Sequence, residues 1–175
     1  MEPPATAVYD ANILYPASLR DLFIWLAQAG LVQARWTDTI HDEWLRNVLK
    51  DSPQLSPERL ARTRTLMNEA VRDCLVTGHD ELIESLTLPD PDDRHVLAAA
   101  IRVGASVIVT FNLADFPAAA LARFHIEAQH PDDFLISLLD AAPASSARQS
   151  NGSAKVFAIR RRRPRSCLQP SKPRE

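Results

Sequence analysis

The chain has 175 residues, 46% of them apolar, which is enough to bury one ordinary core and lies within the usual size range of a single domain. No stretch approaches the roughly 20 apolar residues that a membrane helix needs, and Met1-Glu2-Pro3-Pro4 lacks the basic start and apolar run of a secretory signal, so a cytoplasmic protein without membrane association is expected. The formal net charge of −2 conceals an asymmetry: residues 141–175 hold nine of the 20 Lys and Arg but one of the 22 Asp and Glu, which leaves that tail at +8 and residues 1–140 at −10. An acidic body does not attract nucleic acid by simple electrostatics unless bound cations offset its charge where phosphates approach. Cys74 and Cys167 lie far apart, the second in a Pro/Arg-rich stretch, and both are expected as free thiols.

In chain order, residues 5–9 read as a short buried strand ending at Asp10, followed by a turn at Ala11-Asn12. Leu19, Leu22, Phe23 and Leu26 then form the stripe of an amphipathic helix, with Gly30 placed to stop it. Val32 to Trp36 is a second strand, after which Thr37 or Asp38 caps a helix with Ile40, Trp44 and Val48 on its apolar face and Glu43 inside it. Ser56-Pro57-Glu58 opens a helix whose pattern runs through Leu60, Met67 and Val71, and Leu82 to Leu88 is compatible with an extended stretch.

Pro89-Asp90-Pro91-Asp92-Asp93 predicts a turn and then a helix with Val96, Leu97, Ala100 and Ile101 inward and Gly104 at its end. Ser106 to Thr110 is the clearest buried strand. A turn at Asn112 to Pro117 leads to a short helical stretch, a strand at Ile126 to Ala128, and a helix opened by Pro131 and Asp132 that ends near Asp140. Strands alternating with helices imply a parallel α/β sheet with helices on both faces. Residues 1–140 are therefore read as one domain, and residues 141–175, rich in Ala, Pro, Ser, Gln and Arg without periodicity, as a disordered tail.

Sites in open parallel sheets form beyond the carboxyl ends of the strands. Asp10 occupies one such end, Asn112 and Asp115 follow another, and Asp93 opens the helix that leads into it. If Glu43 joins them, several oxygen-bearing side chains share a small volume, an arrangement that is costly unless a positive group offsets it. Mg²⁺ or Mn²⁺ is the natural partner of such a set, and the chemistry that follows is hydrolysis of a nucleic-acid backbone. Each residue also has a plainer explanation: Asp10 and Asp115 as turn residues, Asp90 to Asp93 as an acidic helix start, Glu43 as a solvated helix position. The joint pattern favours the site.

Four segments carry a resemblance: Val8 to Leu14, Trp36 to Trp44, Pro89 to Ala100, and Val109 to Pro117. Together they resemble the PIN-domain family, in particular the bacterial members that act as toxins of toxin–antitoxin pairs, over about residues 6–140. The resemblance implies an α/β/α sandwich around a parallel sheet and a metal-dependent endoribonuclease, with Asp10, Glu43 and Asp93 at acidic metal positions. The fourth position is open between Asn112, where many relatives place an aspartate, and Asp115, with Asp90 and Asp92 as accessory ligands. It further implies an RNA substrate and an antitoxin protein that shields the acidic cleft; the apolar surface the antitoxin would cover otherwise supports a homodimer. The alternative is a degenerate PIN domain that only binds RNA or protein.

His41-Asp42-Glu43 fits half of a zinc deaminase signature, but no P-C-x-x-C completes it. Four glycines, no Walker-type loop and no G-x-S-x-G elbow leave nucleotide hydrolysis and serine-hydrolase chemistry unsupported. A nucleophilic-aspartate phosphotransferase would place a second aspartate where Asn12 stands. His79, His95, His125 and His130 lack ligand spacing and are read as surface or packing residues. Trp25, Trp36 and Trp44 are read as core rather than as stacking platforms.

Overall fold

Four parallel strands in the order β2-β1-β3-β4 set the frame of this computed structural model, of which residues 4–141 are described. Strand β1 (Thr6–Tyr9) lies between β2 (Gln33–Arg35) and β3 (Val107–Val109), and β4 (Glu127–Gln129) adds to the far side of β3. The register aligns Tyr9 with Val109 and Val109 with Gln129, so three strands end side by side. Because the chain moves from β1 toward β2 and later from β3 toward β4, the order reverses between β1 and β3. A crevice opens at their carboxyl ends for that topological reason.

Helices flank the sheet. Helices α1 (Ala11–Leu14), α2 (Ala17–Gln28), α3 (Asp38–Asp51), α4 (Pro57–Ala70) and α5 (Asp80–Ile83) precede α6 (Arg94–Val103), and α7 (Ala118–Leu121) and α8 (Pro131–Ala141) follow β3. Helix α6 packs against β1 and β3, and α2 against β2. Thr37 caps α3 by accepting the Ile40 N–H, and Ser56 caps α4 with Pro57 at the first helical position, as their residue types favour. Gly104 ends α6 in the left-handed conformation at φ 61°, which a Cβ would strain.

The core centres on Tyr9, Phe23, Trp36, Trp44, Phe116 and Phe134, all fully buried, with Phe23 and Phe134 stacked 6.1 Å apart. Asn68 of α4 joins the tryptophans to α3: its Oδ1 accepts the Trp36 Nε1–H at 2.8 Å and bonds His41 Nε2 at 3.0 Å, while Trp44 Nε1 donates to His41 Nδ1 at 2.9 Å. These partners require the neutral imidazole with its proton on Nε2, and burial lowers the His41 pKa in the same direction. His41 is thus a structural residue that fixes α3.

Several expectations are corrected. The stretch from Leu82 to Leu88 forms no strand: Leu82 and Ile83 belong to α5, favoured by Asp80 and Glu81 in its first turn and packed on α6. Ala11-Asn12 begins helix α1, capped by Asp10, instead of a plain turn. Trp25 is 60% exposed rather than core, and Leu22 is also exposed. Helix α2 is rotated relative to its hydrophobic stripe because Arg20 goes inside, where Nη1 donates to the Leu14 carbonyl at 2.9 Å and the guanidinium lies 4.9 Å over the Trp44 ring. Burying Arg20, Phe23 and Leu26 turns Trp25 outward. Helix α8 includes Ala141, and the expected disordered tail beyond it lies outside the described residues, as does Cys167; Cys74 is free and buried. Among the described residues no helix is long and apolar enough to cross a membrane.

Candidate active site

Asp10 leaves β1 with extended backbone (φ −68°, ψ 159°) and caps α1, and its carboxylate is tied down by three donors. Oδ1 accepts the Ala11 N–H at 2.6 Å, and Oδ2 accepts Asn12 Nδ2–H and the Thr110 hydroxyl, each at 2.7 Å. Thr110, the residue after β3, also accepts Asn12 Nδ2–H and the Asn112 N–H at 3.0 Å. The strand ends on either side of the reversal are thereby joined through one carboxylate and one hydroxyl. Burial raises the Asp10 pKa, against the lowering effect of the Thr110 and Ala11 bonds; Glu43 pushes it further up and His95 pulls it down.

A cavity of about 310 Å³ opens over this junction, lined by Asp10, Asn12, Glu43, Asp93 and Asn112, with Tyr15, Asn47 and Asp51 completing the wall. Glu43 comes from the first half of α3, and its Oε2 lies 3.7 Å from His95 Nε2. Asp93 ends a 3₁₀ turn (Pro91–Asp93) immediately before α6. Its pKa is pushed up to about 7, first by burial and then by the negative charges of Asp10, Asp115, Asp90 and Glu43. A carboxyl titrating near neutrality in a cleft is a signature of functional sites.

Four of the five candidate residues, Asp10, Glu43, Asp93 and Asn112, face the same cavity. Asp115 does not line it; it closes a 3₁₀ turn (Leu113–Asp115) and acts on Asp93 as a neighbouring like charge. Asp90 is occupied as a cap, with Oδ1 accepting the Asp92 N–H at 2.8 Å, and Asp92 stays exposed. The sequence reading missed Thr110, Tyr15, Asn47 and Asp51, and it gave Asn12 no role beyond a turn. Asn47 and Asp51 follow Glu43 at steps of four on α3, a spacing that marks one helix face and was visible in the sequence. Tyr15 was not deducible locally; its hydroxyl donates to Asp51 Oδ2 at 2.7 Å across the rim. His95, read as a packing residue, is the one histidine beside the cluster, and its Nδ1 is buried without a hydrogen-bond partner.

The donor set is oxygen-only, which suits Mg²⁺ or Mn²⁺ rather than a softer metal. Among the described residues no three His, Cys, Asp or Glu side chains gather tightly enough to form a closed ion cage. That openness is compatible with Mg²⁺, which keeps several waters and takes one or two carboxylates directly. The negative charges of Asp10, Asp115, Asp90 and Glu43 crowded around Asp93 are what a cation would relieve.

A family model described as PIN domain matches residues 6–114, a span that contains Asp10, Glu43, Asp93 and Asn112 and stops short of Asp115. The chain is also 52% identical over 63 residues to a Mycobacterium tuberculosis protein named "Putative ribonuclease VapC50". That stretch covers 36% of this chain and 37% of the relative's length. No solved structure matches.

Proposed function

The chain belongs to the PIN-domain family, and from that premise we propose that it is a metal-dependent endoribonuclease, the toxin of a toxin–antitoxin pair, acting in the cytoplasm through its 1–140 domain. The observation that carries the reading is the meeting of Asp10, Glu43, Asp93 and Asn112 in one cavity at the reversal of strand order. The mycobacterial relative's name, a ribonuclease, supports RNA as the substrate.

Asp10, Glu43, Asp93 and Asn112 would hold Mg²⁺ or Mn²⁺. When bound, the ion supplies positive charge at the scissile phosphate and makes water a better nucleophile near neutral pH. The protein's own contribution is division of labour among its side chains. Asp10, fixed by three donors, serves as an anchor of set orientation. Asp93, whose carboxyl pKa is pushed up to about 7, would bind the ion in its deprotonated form. Asn112 offers an amide without adding charge to a crowded site. Asp115 tunes Asp93 from outside the cavity.

The test is cleavage of RNA by the full chain with Mg²⁺, with Mn²⁺ and with EDTA. Cleavage that depends on either ion supports the reading; cleavage indifferent to EDTA overturns it. The looseness of the acidic cluster favours, as the alternative, a PIN domain that binds RNA or protein without cutting. RNA binding with no cleavage under any ion would select that alternative.

The same reading includes an antitoxin and a homodimer as partners. It is supported by exposed apolar side chains on two adjoining helices, Leu22 and Trp25 on α2 and Ile136 and Leu139 on α8. Recovery of a small protein or a dimer on copurification from the host tests it, and a monomer without partner would remove this part alone.

A further inference from the structure

Beside the acidic cavity the chain holds an aromatic pair that the cleavage chemistry does not use. Strands β3 and β4 end in register, and the Thr110 N–H bonds the Gln129 carbonyl at 3.0 Å, so Thr110 and His130 leave the sheet as neighbours. Phe111 follows directly; the residue is 43% exposed, and its ring centroid lies 5.1 Å from the His130 ring at 76°. A single exposed phenylalanine is ordinary on a protein surface. The placement of this one is not.

Phe111 stands between Thr110, which bonds Asp10, and Asn112, which lines the cavity. Its backbone N–H is held by Asn12 Oδ1 at 3.2 Å, and the same Asn12 side chain bonds Asp10. One residue therefore fixes both the anchor carboxylate and the backbone that carries the ring. His130 braces the ring from β4, and its own orientation is set by Asp132, whose N–H it accepts at Nδ1 at 3.3 Å. Two strand spacings, about 10 Å, separate the β1 end at Asp10 from the β4 end at His130. That is close enough for one nucleotide chain to touch both.

We propose that Phe111, braced by His130, is a stacking platform for an unpaired nucleobase of single-stranded RNA next to the phosphate that is cut. This rests on the ribonuclease reading. Single-stranded RNA is recognised by stacking of splayed bases on aromatic rings, which supplies affinity without positive charge. The charge balance favours such a contribution, because residues 1–140 carry a net −10 and draw phosphates poorly on their own.

The experiment measures kcat and KM for Mn²⁺-dependent cleavage of a short single-stranded RNA by the full chain and by Phe111→Ala, Phe111→Leu and Phe111→Trp, with melting curves for all four. The substrate is then repeated with an abasic nucleotide at each position in turn. Phe111→Ala and Phe111→Leu should raise KM by about 5- to 100-fold with kcat little changed, and Phe111→Trp should restore it. One abasic position should penalise the unsubstituted chain but not Phe111→Ala. An unchanged KM in Phe111→Leu, or an abasic penalty that persists in Phe111→Ala, overturns the platform while leaving the nuclease intact. A chain that neither binds nor cuts RNA overturns the nuclease reading, and the platform with it.

Discussion

The hydroxyl of Thr110 donates to Asp10 Oδ2 at 2.7 Å, although the two residues are 100 positions apart in the chain. The same oxygen accepts from Asn12 and from the Asn112 backbone, so one side chain holds the ends of β1 and β3 in a common network. Buried polar groups in such a network are stabilising when all are paired and costly when one partner is removed.

Thr110→Val keeps the shape of the side chain and removes the hydroxyl. The Asn112 N–H then loses its acceptor, and Asp10 loses one of its donors. Chemical denaturation should show a loss of about 1–3 kcal/mol, and RNA cleavage should fall because Asp10 is less well fixed. Thr110→Ser should recover most of both. A valine variant as stable and active as the unsubstituted chain would remove the network from the account of the site.

Asp10 and Asp93 should respond oppositely to replacement by asparagine. Asn at position 10 turns an amide N–H₂ toward donors that now bond the carboxylate, so Asp10→Asn should be inactive and destabilised by roughly 1–3 kcal/mol. The influences on Asp93 are burial and like charges, with no hydrogen bond among them. Asp93→Asn should therefore also be inactive but melt higher than the unsubstituted chain in EDTA at pH 8. Equal shifts in melting temperature for the two variants would count against this division between anchor and repelled carboxylate.

The strands, the long helices and three of the helix caps were legible because each rests on local signals: short apolar runs, helical stripes, and Thr37, Ser56 and Gly104 at the ends. Asp10 and Asn112 were legible because parallel topology brings strand ends to one edge, whereas Glu43, inside α3, and Asp93, ahead of α6, rested on the joint pattern and the resemblance. What escaped the sequence depends on contacts between distant elements. Arg20 looks like a surface residue on a helix until α1 and Trp44 provide a carbonyl and a ring to receive it. Trp25 looks like core until that rotation of α2 puts it outside. Asp115, three residues beyond Asn112, looks as suitable in the sequence, but it closes the 3₁₀ turn and does not line the cavity.

Asn68 illustrates the same dependence and yields a stability prediction. It accepts from Trp36 Nε1 and bonds His41 Nε2, so Asn68→Leu should strand two polar hydrogens near the core. A loss of about 1–3 kcal/mol in urea denaturation is expected, with cleavage per folded molecule maintained because Asn68 does not line the cavity. A variant of unchanged stability would show that water replaces the amide at no cost.

The last prediction concerns pH and the divalent ion together. An unfolded chain ionises Asp93 near its ordinary value of 3.8, whereas the folded chain holds the proton up to about pH 7. Between those values the folded state binds more protons than the unfolded state at this group, so in EDTA its contribution to stability falls as pH rises, and the whole penalty is present above pH 7. Asp10, whose pKa is also raised, acts in the same direction. Melting temperatures in EDTA should therefore fall more, or rise less, from pH 5 to pH 8 in the unsubstituted chain than in Asp93→Asn, a difference that cancels the opposing titration of the buried His41 and His79. Cation binding requires the deprotonated carboxylates, so the rise in melting temperature produced by Mn²⁺ should be larger at pH 8 than at pH 5.5. Cleavage should gain with pH through neutrality for the same reason. If Asp93→Asn follows the unsubstituted chain across the whole pH range, or if Mn²⁺ stabilises the protein equally at both pH values, Asp93 does not belong to an ion site of the kind proposed.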